Sequence, residues 1–311
     1  MQTKTIKKII KNKMEEWLAS ITDIQLRKDV EHSLMVSGGS IASLFFNEKV
    51  NDYDVYLQDM NVLLRLANYY VKNHRVMDGR LKEEYIKEYE TEIGFSIEEW
   101  EKNNGQQYSS QRYVRFANLK PDQVKLDIKS GGIPFTFEEG HTPHYEVAFI
   151  SQNAISLTND VQIVLRFSGT PEEIHKNYDF IHATNYYTTA KGLVTNVDAL
   201  ESLLTKTLKY QGSLYPLTSI IRMKKFIKRN WGISAGEILK IMFQISELDL
   251  KDVKVLEDQL IGVDVAYFST LLEILKDTKR NEITSEYINT VIDRVFDDYE
   301  GEDDGIKTQE K

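Results

Sequence analysis

The chain has 311 residues, of which 39 are basic and 48 acidic, and its formal net charge is −9 at pH 7. With 41% hydrophobic and 11% aromatic residues it has the composition of a folded globular protein, and its length suits two domains, because one domain typically spans roughly 100–200 residues. No apolar run approaches the ~18 residues of a membrane span, no signal-peptide pattern opens the chain, and the lack of cysteine excludes thiolate catalysis, disulfides and cysteine-bound metals.

The opening segment predicts a unit of helix, strand, turn, helix and strand. Apolar residues recur at helical spacing through the first thirty positions, and Leu34 to Val36 form a short strand pattern. This strand leads into the turn sequence Ser37-Gly38-Gly39-Ser40, which is followed by an apolar helical stretch over residues 41–46. Residues 52–57 then alternate polar and apolar side chains, as a half-buried strand does.

The rest of the first domain is predicted to consist mostly of strands. Residues 60–73 have helical periodicity, and residues 82–111 are so rich in charged and amide side chains that they predict an exposed insertion. The strand candidates that follow are 112–116, 124–128, 145–150, 154–157, 161–167 and 178–182. Because Asn159-Asp160 has the chemistry of a turn, residues 145–167 predict an antiparallel meander.

The pattern changes near residue 195 and stays helical afterwards. Asn196, Pro216 and Ser234 are typical of helix starts, and we predict the three helices to end near residues 210, 229 and 247. We therefore predict an α+β domain over 1–195, with a mixed and mostly antiparallel sheet flanked by helices, and an all-helical domain over 196–296. Residues 297–311 form an acidic tail that we expect to be disordered.

Asp52 and Asp54 are the first candidates for a functional site. Two carboxylates at positions i and i+2 of a strand project from the same face and repel each other unless a cation lies between them. Mg²⁺ suits such a pair, because it is bound by one or two carboxylates together with substrate phosphates. Upstream, Gly38, Gly39 and Ser40 lead into a helix, so backbone N–H groups and a hydroxyl can face an anion there. Together the two features predict a site for a metal-bound triphosphate.

This combination of turn, short helix and Asp-x-Asp strand, in Gly38-Gly39-Ser40 and Asp52-Tyr53-Asp54, resembles the polymerase-beta-type nucleotidyltransferase superfamily. The resemblance implies that Gly39 and Ser40 hold the β- and γ-phosphates and that Asp52 and Asp54 bridge two Mg²⁺ (or Mn²⁺) ions. It also implies an enzyme that moves an NMP from an NTP to an acceptor hydroxyl and releases pyrophosphate.

The family uses a third carboxylate on a neighbouring strand, and two residues compete for that role. Asp127 and Asp179 each lie within a strand pattern. A Gln-Ile strand, a short helix and a strand that opens with aromatic-Asp, as in residues 161–180, are similar to an arrangement in nucleotidyltransferase-like proteins of large viruses and phages. That likeness favours Asp179 as a ligand of the catalytic ion and leaves Asp127 as the alternative.

Residues 205–229 carry seven basic side chains and no acidic one, with aromatic residues between them. Such a segment is typical either of an ordinary helical domain or of contact with a nucleotide or nucleic acid. In the resembling family a lysine on such a helix grips the triphosphate, and a nearby hydroxyl or aromatic group contacts the base or sugar. The residues that match this role loosely are Lys206, Lys209, Ser213 and Tyr215. The overall charge of −9 does not argue against a polyanionic ligand at this segment.

We therefore predict a nucleotidyltransferase with an NTP as donor and an RNA or tRNA end, a protein or a small molecule as acceptor, with no membrane partner. The basic segment favours nucleic acid as the acceptor. The alternative is a non-catalytic protein that keeps the fold, as a virion component, an interaction partner or a toxin-antitoxin element. We expect either protein to act in the cytoplasm of a bacterial or phage-infected cell.

Overall fold

A computed structural model describes residues 2–73, 96–104, 113–120, 123–129, 145–150, 153–250 and 252–260, together with 284 and 286. The helices in these residues are α1 (Thr3–Ser20), α2 (Ile24–Ser33), α3 (Gly39–Phe46), α4 (Met60–Asn73), α5 (Ile97–Asn104), α6 (Pro171–His175), α7 (Val197–Thr205), α8 (Pro216–Lys228), α9 (Ala235–Ser246) and α10 (Val253–Leu260). Over the same ranges, no helix is long and apolar enough to cross a membrane.

The strands belong to one large sheet and two small ones. They are β1 (Leu34–Ser37), β2 (Tyr53–Leu57), β3 (Tyr113–Lys120), β4 (Gln123–Lys129), β5 (Val147–Ile150), β6 (Ala154–Leu157), β7 (Val161–Ser168), β8 (Tyr186–Thr188), β9 (Gly192–Val194), β10 (Thr207–Leu208) and β11 (Gly232–Ile233). The large sheet has the order β5-β6-β7-β2-β1-β8-β9. β1 pairs antiparallel with β8, and Val36 lies opposite Tyr187. The fold is a mixed α+β fold with a mainly antiparallel seven-stranded sheet, as predicted.

The predicted meander over residues 145–167 is confirmed, because β5, β6 and β7 pair antiparallel in sequence order. The helix predicted over residues 60–73 is also present as α4. Of the predicted insertion at 82–111, the described part contains α5, and the rest of that range lies outside the described residues. The predicted acidic tail at 297–311 also lies outside them, as does most of the helical segment beyond Leu260.

Several elements differ from the sequence prediction. The first thirty residues form two helices, because the side chain of Asp23 accepts a hydrogen bond from Leu26 N and starts α2. Residues 178–182 do not form a strand: Phe180 makes an isolated β-bridge to Tyr210, and a 3₁₀ turn follows at once. After residue 195 helices predominate, but β10 and β11 pair in parallel. The preceding helix α7 ends early because Lys206 adopts a left-handed conformation with φ 48°.

The chain divides into two compact units. The first consists of Met1–Asn12, Met35–Asp54 and Gly169–Lys311, and the second of Lys13–Leu34 and Val55–Ser168. In the second unit the buried indole Nε1 of Trp17 donates a hydrogen bond of 2.8 Å to the hydroxyl of Tyr70. All the predicted site residues except Asp127 belong to the first unit. The predicted domain boundary at residue 195 stays a prediction.

The core of the first unit contains a buried histidine among aromatic rings. The ring centroid of His182 lies 4.5 Å from that of Phe226 and 4.8 Å from that of Trp231. Its Nδ1 atom is buried and makes no hydrogen bond to the described part of the chain. Burial lowers the pKa of His182 to about 4, because the charged imidazolium loses its hydration there.

We expect His182→Phe to make the protein less sensitive to acid. In the unfolded chain the histidine has a pKa of 6.5, so between about pH 6.5 and 4 the unfolded state binds more protons and the free energy of unfolding falls as the pH falls. Phenylalanine cannot take up this proton. Thermal melting should therefore favour the variant over the wild type more at pH 4.5 than at pH 7, and an equal difference at both values would contradict the prediction.

Candidate active site

The turn between β1 and α3 exposes the start of a helix. The four residues of β1 are buried and lead to Gly38, which has φ 89° and donates its N–H to the carbonyl of Ala183 at 3.2 Å. Gly39, the first residue of α3, is exposed, and no atom lies within 4 Å of the position that its Cβ would occupy. The hydroxyl of Ser40 is buried and makes no hydrogen bond among the described residues. The turn therefore has space and unused polar groups at the positive end of a helix.

The Asp54 carboxylate lies directly against this turn. A Cβ placed on Gly38, the residue between β1 and α3, would lie 2.9 Å from Oδ2 of Asp54, which lies in β2. Asp54 is half-buried and Asp52 is exposed. Burial is the main cause that raises the pKa of Asp54 to about 8, and the negative charge of Asp52 raises it further, while Arg222 opposes both effects. The two acids therefore lie beside an anion-binding turn, and a cation bound between them would favour the charged form of both carboxylates.

Asp179 is buried, and two residues of the following segment hold its carboxylate. Its Oδ1 accepts a hydrogen bond of 2.8 Å from the Ser213 hydroxyl, and its Oδ2 forms an ion pair with Nη1 of Arg222. Because Arg222 also lowers the pKa of Asp54 through its charge, its guanidinium lies within electrostatic range of both acids. Arg222 therefore brings a positive charge that acts on both acids.

The remaining predicted site residues contact groups other than Asp52, Asp54 and Asp179 in the interactions described below. Lys206 Nζ lies 5.1 Å from the ring centroid of Phe46, and Lys209 Nζ forms a 2.7 Å ion pair with Glu201. Tyr215 precedes α8 and donates its N–H to the Ser213 hydroxyl. Asp127 lies in β4, opposite Arg115 in a two-stranded sheet with β3. The roles assigned to these residues stay predictions.

Sequence reasoning missed three residues that the structure brings to the site. The Tyr178 hydroxyl lies 3.7 Å from where a Cβ on Gly38 would be. The His175 ring packs against that of Tyr178, and its Nε2 lies 2.9 Å from the Ser37 hydroxyl. Burial lowers the pKa of His175 to about 4, so this imidazole is neutral at pH 7. The third residue is Arg222, whose only signal in the sequence was its position in the acid-free segment.

The donor set fits one divalent cation better than two. Asp52 and Asp54 provide adjacent carboxylates, the hard oxygen ligands that Mg²⁺ takes together with water and substrate phosphates. No group of three or more His, Asp or Glu side chains within the described ranges could hold a metal ion. Asp179 has both oxygens in contact with Ser213 and Arg222. A second ion on Asp179 would require Arg222 to leave it.

We expect Arg222→Ala to destabilise the protein by about 1–2 kcal/mol, because a buried charged group loses its partner while the partly exposed arginine limits the cost. The Arg222 side chain is 41% exposed and that of Asp179 3%. Urea unfolding measures this loss. The matched control is Lys224→Ala, which removes an exposed charge from the same helix. Equal stabilities for the two variants would show that the ion pair contributes nothing.

Comparisons with known proteins give one family and several structures. The model of a family described as "Gabija anti-defense 2 family protein" matches residues 8–206, more than half of the chain. A curated relative, "Gabija anti-defense 2" of Bacillus phage SPbetaL7, is 26% identical over 140 residues, which are 44% of this chain and 34% of the relative. The aligned part therefore spans about a third of that relative's length.

Two solved CCA-adding enzymes are similar in fold. That of Bacillus stearothermophilus, in complex with CTP, is 11% identical with a TM-score of 0.35, and the match covers 84% of this chain and 51% of the enzyme. That of Thermotoga maritima, complexed with tRNA, is 13% identical with a TM-score of 0.36, and the match covers 86% and 56%.

Proposed function

Because the chain belongs to the Gabija anti-defense 2 family, we propose that it counteracts the Gabija defence of a phage-infected cell by nucleotidyl transfer. It would act in the cytoplasm as a member of the polymerase-beta-type superfamily. The donor is an NTP, and the acceptor is a hydroxyl group of an RNA or tRNA end, a protein or a small molecule.

The contact between the Gly38 turn and the Asp54 carboxylate is the observation that supports this proposal most. The helix start attracts an anionic ligand, whereas the two acids repel one unless a cation accompanies it. A triphosphate with its divalent cation satisfies both: the phosphates would face the N–H groups of Gly39 and Ser40, and the cation would face Asp52 and Asp54. The buried and unused Ser40 hydroxyl provides one further donor for a phosphate oxygen.

The reaction is an exchange at the α-phosphorus of the NTP. The acceptor oxygen forms a bond to the α-phosphorus, the bond to the bridging oxygen of the β-phosphate breaks, and pyrophosphate leaves with that electron pair while the hydroxyl proton goes to a carboxylate or to water. A bound Mg²⁺ or Mn²⁺ supplies charge neutralisation of the phosphates. The chain itself would position the phosphates at the turn of Gly39 and Ser40.

Transfer of label from NTPs is the direct test. Each of the four α-³²P-labelled NTPs is incubated with Mg²⁺, total RNA and a cell lysate, using the wild type, the double variant Asp52→Ala/Asp54→Ala and the control Asp160→Asn. Asp160 is an exposed turn residue with φ 57°, a left-handed conformation that asparagine adopts as readily as aspartate does. We expect label on an acceptor for the wild type and the control. The same labelling by the double variant would contradict the proposal.

Counter-defence is tested separately in cells that carry a Gabija system. We expect expression of the wild type to restore phage plating and the double variant to fail at equal protein levels. A double variant that restores plating as the wild type does would uncouple the counter-defence from the acids.

The second candidate is a non-catalytic protein that retains this fold and acts by binding. The observation that favours it is the occupied carboxylate of Asp179, whose two oxygens contact Ser213 and Arg222. Calorimetry with Mg·ATP and Mg·GTP separates the candidates. Absence of heat and of any thermal shift with every NTP, together with plating restored by the double variant, would favour the binding protein.

A further inference from the structure

A cleft of about 520 Å³ lies in the first unit, and none of its lining residues takes part in the proposed transfer. Its lining residues are Tyr210, Gln211, Gly212, Lys240, Phe243 and Gln244. The cleft is open to solvent rather than enclosed, and at Gly212 no atom lies within 4 Å of a Cβ position.

One wall of the cleft is an exposed aromatic ring on a fixed support. Phe243 on α9 is 68% exposed, which is unusual for a large apolar side chain. Tyr210, which also lines the cleft, is buried. Its hydroxyl donates to Gln244 Oε1 at 2.6 Å, and its N–H donates to Glu237 Oε2 at 2.7 Å. The cleft therefore offers a ring face without requiring a rearrangement of its floor.

The other groups of the cleft are polar and include one cation. Lys240 is 57% exposed, and its Nζ lies 2.9 Å from Glu237 Oε1 at the edge of the cleft. Gln211 is exposed and donates from Nε2 to the carbonyls of His175 and Tyr178. This leaves its side-chain oxygen as an acceptor. A ring face, an amide edge and an ammonium group are the chemistry that recognises a nucleotide.

The cleft is connected both to the acids and to the basic helix. The N–H of Gln211 donates to the backbone carbonyl of Asp179, and Ser213, two residues later, holds the Asp179 carboxylate. Helix α9 packs against α8, which has basic but no acidic side chains. A chain of phosphates leaving the cleft along α8 would therefore meet positive charge.

We propose that this cleft binds the terminal nucleobase of a single-stranded RNA, which is the acceptor of the transfer. The base stacks on Phe243, its edge meets the amide of Gln211, and the following phosphates meet Lys240 and the basic side of α8. The inference rests on the proposed function, which it deepens by naming the acceptor. It adds a stacking residue to the machinery of the site.

Fluorescence anisotropy of a labelled single-stranded RNA tests the proposal with the full chain. We expect Phe243→Ala to weaken binding about tenfold, in line with the loss of one base–aromatic stack, and Phe243→Trp to bind as the wild type does. Met242→Ala is the matched control, because Met242 is 56% exposed on the same helix and does not line the cleft. Lys240→Gln should reduce the slope of log affinity against log salt by about 0.7. Equal RNA affinity of Phe243→Ala and wild type would overturn the proposal.

Two further arms identify another occupant and separate this proposal from the transfer itself. Asp160→Asn, a change at an exposed turn residue, should bind RNA as the wild type does. If the wild type shows no transfer but Phe243→Ala still lowers its RNA affinity, the transfer alone is refuted. Calorimetry with Mg·NTP should give the same affinity for Phe243→Ala and wild type. If Phe243→Ala lowers the affinity for NTP and leaves the affinity for RNA unchanged, the cleft binds the NTP and the RNA proposal is wrong. If the variant loses only its association with a Gabija protein, the cleft binds that protein and the RNA proposal is wrong as well.

Discussion

Asp54→Asn should reduce nucleotidyl transfer by at least ~100-fold and make the protein more stable at the same time. The first effect is expected because partners that only orient a metal ligand are worth 10–100-fold, and Asp54 would be a ligand itself. The second is expected because the half-buried carboxylate lies beside Asp52, and a neutral amide of the same shape has no such repulsion. Functional groups held at a cost in stability behave in this way.

The pH dependence of this effect has a defined sign. The pKa of Asp54 is raised from 3.8 in the unfolded chain to about 8 in the folded protein. Between these values the folded state binds more protons than the unfolded state, so this group lowers the free energy of unfolding as the pH rises. The gain in melting temperature of Asp54→Asn over the wild type should therefore be larger at pH 8 than at pH 5.

Thermal melting at the two pH values and the labelled-NTP assay measure the two effects. Asp160→Asn, the same change on an exposed turn, should alter neither. A variant that is inactive and less stable at both pH values would mean that Asp54 supports the fold rather than the chemistry.

Gly38→Ala should destabilise the protein by about 1–3 kcal/mol, the usual cost of a side chain at a positive φ, and should also reduce transfer. The φ of 89° disfavours any Cβ, and the added methyl would lie 2.9 Å from Asp54 Oδ2 and displace this carboxylate. The control is Gly39→Ala, one residue later, where φ is not positive and the Cβ position is open. Urea unfolding and the transfer assay measure both variants.

Comparing the Gly38→Ala and Gly39→Ala variants shows whether the loss of stability comes from the contact with Asp54. If Gly39→Ala loses as much stability as Gly38→Ala, the loss comes from general glycine chemistry and not from the contact with Asp54. If Gly38→Ala keeps full transfer activity, the close approach of the turn and the carboxylate is not needed for catalysis.

The turn and the Asp54 strand were predictable from sequence because their signals are local. The alternation over residues 52–57 predicted β2, and the Gly-Gly-Ser sequence marked the helix start. Asp54 and Gly38 lie close together because β1, α3 and β2 follow one another in the chain with short connections. The seven-stranded sheet was predictable for the same reason in its meander, where each strand pairs with the next.

The partners of Asp179 could not be predicted because they depend on contacts between distant segments. Arg222 lies 43 residues away in sequence from Asp179, and nothing in the spacing of the basic segment distinguishes it from Lys206 or Lys209. Residues 178–182 alternate like a strand, but of these only Phe180 makes a β-bridge, to Tyr210, which lies outside the strands. The tertiary structure therefore overrides the local pattern. Charge density predicted a basic helix and left open which of its residues faces the acids.

The ion pair of Asp179 and Arg222 has a consequence for how the empty protein behaves. A buried carboxylate whose charge is balanced only by a bound metal makes folding depend on divalent ions, as in small metal-nucleated domains. Here the chain supplies its own counter-ion to the buried acid, so we expect this region to fold in the presence of a chelator. If a chelator stops the proposed transfer, we expect it to do so through the chemistry while the fold stays intact.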